Sequence, residues 1–196
     1  MEKIEQAKKW LLSFGEKTEQ NKDYLNELDI AIGDGDHGSN MNRGLQAVKE
    51  KIADQPYSDL SDLFRDIGMT FVSKVGGASG PLYGSAFISM AKEAKETDSF
   101  PDLLAAGLEG IQRRGKAEVG EKTMVDVWEP VCRAAADHAL SSDLIRENLQ
   151  QTEQLKATKG RASYLGERSI GHLDPGAQSS AYLFDSLLEA DVLDEG

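Results

Sequence analysis

Apolar side chains recur along this chain at helical spacing and almost nowhere at the two-residue spacing of a half-buried strand. Ile4, Ala7, Leu11 and Phe14 fall on one face of a first helix, and Leu60, Leu63, Phe64, Ile67, Phe71 and Val75 repeat the pattern over a longer stretch. Leu103, Leu104, Leu108 and Ile111 follow, then Trp128, Val131, Cys132 and Ala135, a weaker set at Leu144, Ile145 and Leu149, and a last one at Leu183, Phe184, Leu187 and Leu188. Only Leu28–Ile32 alternates, and it follows a helical stretch without a turn signal. The expectation is an all-α fold of about eight helices with short connectors and antiparallel neighbours, all of residues 1–196 forming a single domain.

Four glycine-rich loops interrupt this pattern, at 33–44, 76–84, 115–123 and 160–176. Each intervening segment has room for two helices at about 1.5 Å rise per residue. An even number of helices returns an up-and-down chain to the end it left, so all four loops are expected to converge at one end of the bundle. Loops as long as the last are usually functional. We expect it to act as a lid.

The first loop carries the densest chemistry. From Asp29 to Asn42 stand three aspartates, His37 and two asparagines, interleaved with Gly33, Gly35 and Gly38. Clustered carboxylates repel and call for a cation. Oxygen ligands beside an anion-binding backbone suit Mg²⁺ on a phosphate-bearing ligand, and three carboxylates are enough for two metal ions. The plainer alternative is a solvated acidic loop capping the next helix. An EF-hand starting at Asp34 is excluded, because Ser39 and Leu45 stand where glycine and glutamate are needed. An aspartyl-nucleophile phosphatase would need a parallel sheet that the chain does not supply.

His37 is expected to contact a phosphate or to brace the loop, with its pKa raised by the neighbouring carboxylates. Gly38, Ser39 and Asn40 open a helix whose free N–H groups favour an anion. In the second loop, Gly77, Ala78 and Ser79 can offer successive donors. Gly110–Lys116 imitates a P-loop, but Ala117 stands where the metal-binding hydroxyl belongs and a helical pattern precedes it. Gly115 can still approach a ligand. Gly120, Thr123 and Met124 offer backbone, hydroxyl and an apolar surface for a purine. Arg161 can grip phosphate through two nitrogens.

Composition sets the outer limits. The formal charge of −12 argues against nucleic acid or an anionic membrane as partner. No apolar run reaches membrane-spanning length, the N-terminus lacks a signal-peptide pattern, and the single cysteine, Cys132, sits in a helical context as a packing residue. A cytoplasmic setting is expected.

Taken in order, Asp29, Asp34-Gly-Asp-His-Gly-Ser-Asn-Met41, Gly76-Gly-Ala-Ser-Gly-Pro-Leu-Tyr-Gly84, Gly120-Glu-Lys-Thr-Met124, Gly160-Arg-Ala-Ser-Tyr-Leu-Gly-Glu-Arg168 and Asp174-Pro-Gly-Ala177 resemble the nucleotide-binding L subunits of dihydroxyacetone kinases, the DhaL family. The resemblance covers essentially the whole chain. It implies an eight-helix antiparallel barrel with the nucleotide at one end, and two Mg²⁺ ions held by Asp29, Asp34 and Asp36. It implies His37, Gly38, Ser39 and Asn40 near the phosphates, and Gly77, Ala78, Ser79, Gly115, Gly120, Thr123 and Met124 along the nucleotide. Arg161, Asp174, Pro175 and Gly176 would close over it.

Members of the family either carry a fused substrate domain and use exchangeable ATP, or are separate subunits keeping ADP as a bound coenzyme. With no room here for a substrate domain, the separate form is expected. The partners implied are DhaM, a phosphohistidine carrier of the phosphoenolpyruvate phosphotransferase system, and DhaK, which holds dihydroxyacetone. No protein nucleophile is needed. Alternatives are an ATP-dependent subunit with exchangeable nucleotide, an ADP-sensing regulator of the same fold, and the nucleotide domain of a fatty-acid kinase.

Overall fold

The computed structural model describes residues 2–53 and 55–193. Among them the chain forms nine α-helices and two 3₁₀ segments, with no strand. The helices are α1 (Glu2–Gln20), α2 (Lys22–Ile32), α3 (His37–Ala53), α4 (Leu60–Lys74), α5 (Ser79–Glu93), α6 (Phe100–Gly115), α7 (Val125–Ala136), α8 (Ser142–Gln151) and α9 (Pro175–Glu189). The 3₁₀ segments are Thr152–Gln154 and Arg161–Ser169. The alternating Leu28–Ile32 stretch is the last turn and a half of α2.

α1 and α2 act as one rod. The Asn21 N–H still reaches the Lys17 carbonyl at 3.1 Å and the Leu25 N–H the Asn21 carbonyl at 3.0 Å, so the ladder continues through the break. Both halves pack against α3 and α9. Counted this way, eight rods form the wall, as the periodicity predicts. Each rod contacts the next in sequence, and α9 returns to α1 to close a ring.

The centre of the ring is aromatic. Trp10, Phe14, Phe64, Phe71, Tyr83, Phe87, Trp128 and Phe184 are fully buried. Phe71 and Phe87 stack at 5.5 Å, while Trp10 meets Phe64 edge-on at 6.4 Å, which are favoured ring geometries. The Trp10 indole N–H donates to the Leu183 carbonyl at 2.8 Å, so the closing contact between α1 and α9 is hydrogen-bonded as well as apolar. α4, α5 and α6 approach closely because glycines stand at their contacts. A Cβ on Gly110 would lie 2.5 Å from the Ser85 carbonyl oxygen, and one on Gly68 3.0 Å from that of Gly84. Asp59, Ser141 and Asp174 cap α4, α8 and α9, accepting from Asp62, Leu144 and Ala177 N–H.

Two helices separate each pair of glycine-rich loops, namely α3 and α4, α5 and α6, and α7 and α8. The four loops therefore share one end. No described helix is long and apolar enough to cross a membrane. Cys132 is buried on α7, its Sγ 3.4 Å from the Leu104 carbonyl, and burial pushes the thiol up to about 12. At pH 8 it should not react with a disulfide reagent until the protein is unfolded. Phe71→Ala, which empties the centre of the aromatic stack, should lower the unfolding free energy by about 3–5 kcal/mol in urea titration.

Candidate functional site

The end where the loops meet encloses a cavity of about 460 Å³, a size typical of small-molecule sites. All four loops contribute to its wall. Of the residues expected from sequence, Asp29, Asp34, Asp36, His37, Asn40, Gly77, Ala78, Ser79, Gly115, Thr123, Met124, Arg161, Asp174, Pro175 and Gly176 line it.

Three carboxylates stand at its rim. Oxygens of Asp29, Asp34 and Asp36 lie within 4.8 Å of one another. Asp29 sits on the last turn of α2, and one of its oxygens accepts the N–H groups of Asp36 at 2.9 Å and His37 at 3.1 Å. It thereby fixes the start of α3. Burial and the two neighbouring aspartates raise its pKa against those hydrogen bonds. Gly33 is required by space, because a Cβ there would fall 2.1 Å from the Asp29 carboxylate. Arg161 pairs with Asp34 at 2.8 Å from the first residue of its 3₁₀ segment. Three clustered carboxylates with free oxygens form a donor set suited to a hard divalent cation.

His37 differs from expectation. Its ring is held between the Ser179 hydroxyl, 2.9 Å from Nε2, and the Ser79 hydroxyl, 3.0 Å from Nδ1. Its partners in space are neutral, so sequence proximity to carboxylates is not what sets its pKa. Burial lowers it to about 4 instead of raising it. The bonds continue inward. The Tyr83 hydroxyl lies 2.8 Å from Ser179 and 3.0 Å from Ser180, and the Trp128 indole N–H donates to Ser180 at 3.0 Å. The imidazole is thus anchored through α9 and α5 to the aromatic core.

Gly38, Ser39 and Gly120 stand off the cavity. Gly38 faces α2, where a Cβ would meet the Lys22 carbonyl oxygen at 2.0 Å. Ser39 exchanges two hydrogen bonds with Asn26, at 2.9 and 3.0 Å, on the same side. A helix turns each successive side chain by about 100°, so His37 and Asn40 face the cavity while the two residues between them do not. Gly120, at φ +92°, donates its N–H to Asp126 and shapes the loop rather than lining the cavity.

Other lining residues were not expected from sequence to meet a ligand. Ile32, Leu82, Ile111, Ala117 and Val125 give the cavity apolar wall, and Arg114, Lys159 and Lys122 bring positive charge. Ile111 was visible as a core position only. The second loop is shorter than the glycines suggest, because α5 begins at Ser79 and runs through Pro81 in its first turn, where proline is tolerated. Gly77, at φ +67°, makes the turn into it. The last loop is partly ordered as Arg161–Ser169, with a break at Gly166.

Since burial depresses the folded-state pKa of His37 below its ordinary 6.5, the unfolded chain binds the extra proton between about 6.5 and 4. Stability of the metal-free protein should therefore fall as pH drops through that window, by up to roughly 3 kcal/mol, and His37→Gln should flatten the dependence in denaturant titrations.

Comparisons with known proteins fit this geometry. The family model for the DAK2 domain matches residues 31–189. The chain is 56% identical over 190 residues to the ADP-binding subunit DhaL of PEP-dependent dihydroxyacetone kinase 1 from Listeria innocua, covering 95% of this chain and 96% of that one. It is 42% identical over 194 residues to the corresponding Escherichia coli subunit, covering 91% and 92%. Among solved structures, the dihydroxyacetone kinase of C. freundii in complex with AMP-PNP and Mg²⁺ superposes with a TM-score of 0.75 at 25% identity, over 91% of this chain and 33% of that one.

Proposed function

This chain belongs to the DAK2-domain family, and from that premise we propose that it is the ADP-binding subunit of a phosphoenolpyruvate-dependent dihydroxyacetone kinase. Residues 1–196 act as one nucleotide-binding unit in the cytoplasm, a phosphotransferase subunit holding ADP and two Mg²⁺ ions. The phosphoryl group comes from the phosphohistidine carrier DhaM and goes to dihydroxyacetone on DhaK. The observation carrying this reading is the placement of three carboxylates within 4.8 Å at the rim of a cavity with an apolar interior. A nucleoside diphosphate with divalent metal has that polarity, charged at one end and flat and apolar at the other.

When bound, Mg²⁺–ADP supplies the acceptor phosphate oxygen and the charge that offsets its neighbours. Phosphoryl transfer asks little else of a protein than position and electrostatics. Asp29, Asp34 and Asp36 would hold the metal, Asp29 already fixed by its two N–H bonds. His37 stays a neutral imidazole and supports Ser79 at the phosphate end. Asn40 lines the cavity, with its amide oxygen taken up by Arg43 at 2.7 Å and its N–H₂ left as the donor it would offer. Gly77, Ala78 and Ser79 present backbone and hydroxyl along the phosphates. Gly115, Thr123 and Met124 flank the base with Leu82 and Ile111. Arg161 neutralises charge at the mouth, while Asp174, Pro175 and Gly176 form the opposite wall.

Protein purified without added nucleotide, dialysed and then denatured should release close to one ADP per chain. Chelation before dialysis, or Asp34→Ala, should remove it. An empty protein that turns over added ATP with a DhaK-type partner would favour the ATP-dependent kinase instead, and no binding of either nucleotide with Mg²⁺ would reject the site.

A further inference from the structure

Lys122 is 1% exposed, in the left-handed region at φ +61°, and although it borders the cavity its ammonium is taken up by other segments of the chain. A buried ammonium and a non-glycine residue at positive φ are each unfavourable alone. Their coincidence at one position behind a ligand cavity calls for a compensating set of contacts. Those contacts exist. Nζ donates to the carbonyl oxygens of Thr152 and His172, which belong to two other segments of the chain. Asp174, Glu153 and Asp126 surround it with negative charge and oppose the lowering of its pKa by burial.

The three segments that meet at this ammonium include two walls of the cavity. Lys122 projects from the turn 120–124, which Asp126 pins by accepting the N–H groups of Gly120 at 2.6 Å and Thr123 at 2.7 Å. His172 leads directly into Asp174, Pro175 and Gly176. Thr152 links the two, its hydroxyl accepting the Asp174 N–H at 3.2 Å, while the adjacent Glu153 carbonyl accepts the Gly171 N–H at 2.8 Å. In front of this knot the walls come close, since a Cβ added at Gly176 would lie 3.7 Å from that of Met124.

We infer that Lys122 is a positioning residue for the nucleotide, its buried ammonium cross-tying the Thr123–Met124 wall to the Asp174–Gly176 wall and so setting the width of the cleft. This rests on the nucleotide reading above. Lys122 does its work through the carbonyls it holds, and the residues that touch the ligand are those it spaces. Loss of the ammonium loosens the second wall and speeds escape of the ligand more than it slows entry.

Two variants separate charge from backbone. Lys122→Gly suits φ +61° and removes the whole side chain, whereas Lys122→Met keeps most of the volume without the charge. Stopped-flow release of methylanthraniloyl-ADP in Mg²⁺ should be about tenfold faster or more in both, the size commonly carried by groups that support a binding shell, with association nearly unchanged. Hydrogen exchange at the 171–177 amides should rise in nucleotide-free variants. Folded variants with wild-type release and exchange would overturn the inference alone. Wild-type protein that fails to bind the probe would overturn the nucleotide reading and this inference with it. Where neither variant folds, the wild-type Lys122 Nζ resonance decides. A slowly exchanging ammonium signal that shifts on adding Mg²⁺ and ADP supports the cross-tie, and one that does not shift overturns it.

Discussion

Mutual repulsion among Asp29, Asp34 and Asp36 is the constraint around which the functional end of the barrel is built. Holding three carboxylates within 4.8 Å is unfavourable unless positive charge or oriented dipoles compensate, and each neighbouring element supplies some. The N-terminus of α3 offers N–H groups to Asp29, and the dipole of the same helix favours negative charge there. Arg161 reaches Asp34 from a segment more than a hundred residues away. On the proposed reading a divalent ion compensates the negative charge that remains, and the cavity behind the rim has space for the molecule that carries it.

Rigidity behind the rim comes from polar bonds threaded into an apolar core. Ser79, His37, Ser179, Tyr83, Ser180 and Trp128 form one connected set across α3, α5, α7 and α9. Buried networks of this kind are favourable only when every member is satisfied, and the linked bonds here do that for the imidazole, the phenol and the indole. The same Tyr83 packs against Phe71 at 5.4 Å, so a residue of the aromatic core also orients the imidazole at the cavity. Lys122 plays the equivalent part on the far wall, where charge replaces aromatic packing.

Much of the fold was legible in the sequence, because helical periodicity reports which face is buried and the parity of helices between loops reports which end the loops share. The aspartate trio, Asn40, Arg161 and the 174–176 turn were legible for another reason, since charge and glycine at close spacing have few uses in a helical chain. Directions around a helix were harder. Ser39 belongs to the same motif as Asn40 but faces Asn26. The pKa of His37 departs from the expectation because its neighbours in space, two serines, come from α5 and α9. Nothing in the sequence marked Lys122 as buried, since a lysine in a polar loop normally reaches solvent, and its burial depends on carbonyls thirty and fifty residues away.

Where metal binds decides most directly whether Asp29, Asp34 and Asp36 form the nucleotide's metal site. Crystals grown with Mn²⁺ and ADP, with anomalous scattering recorded above the manganese edge, would locate the ions without assumption. Two peaks within coordination distance of Asp29, Asp34 and Asp36, each also bonded to a phosphate oxygen, are the result expected. Manganese elsewhere, or nucleotide in the cavity with no metal at the three carboxylates, would contradict it.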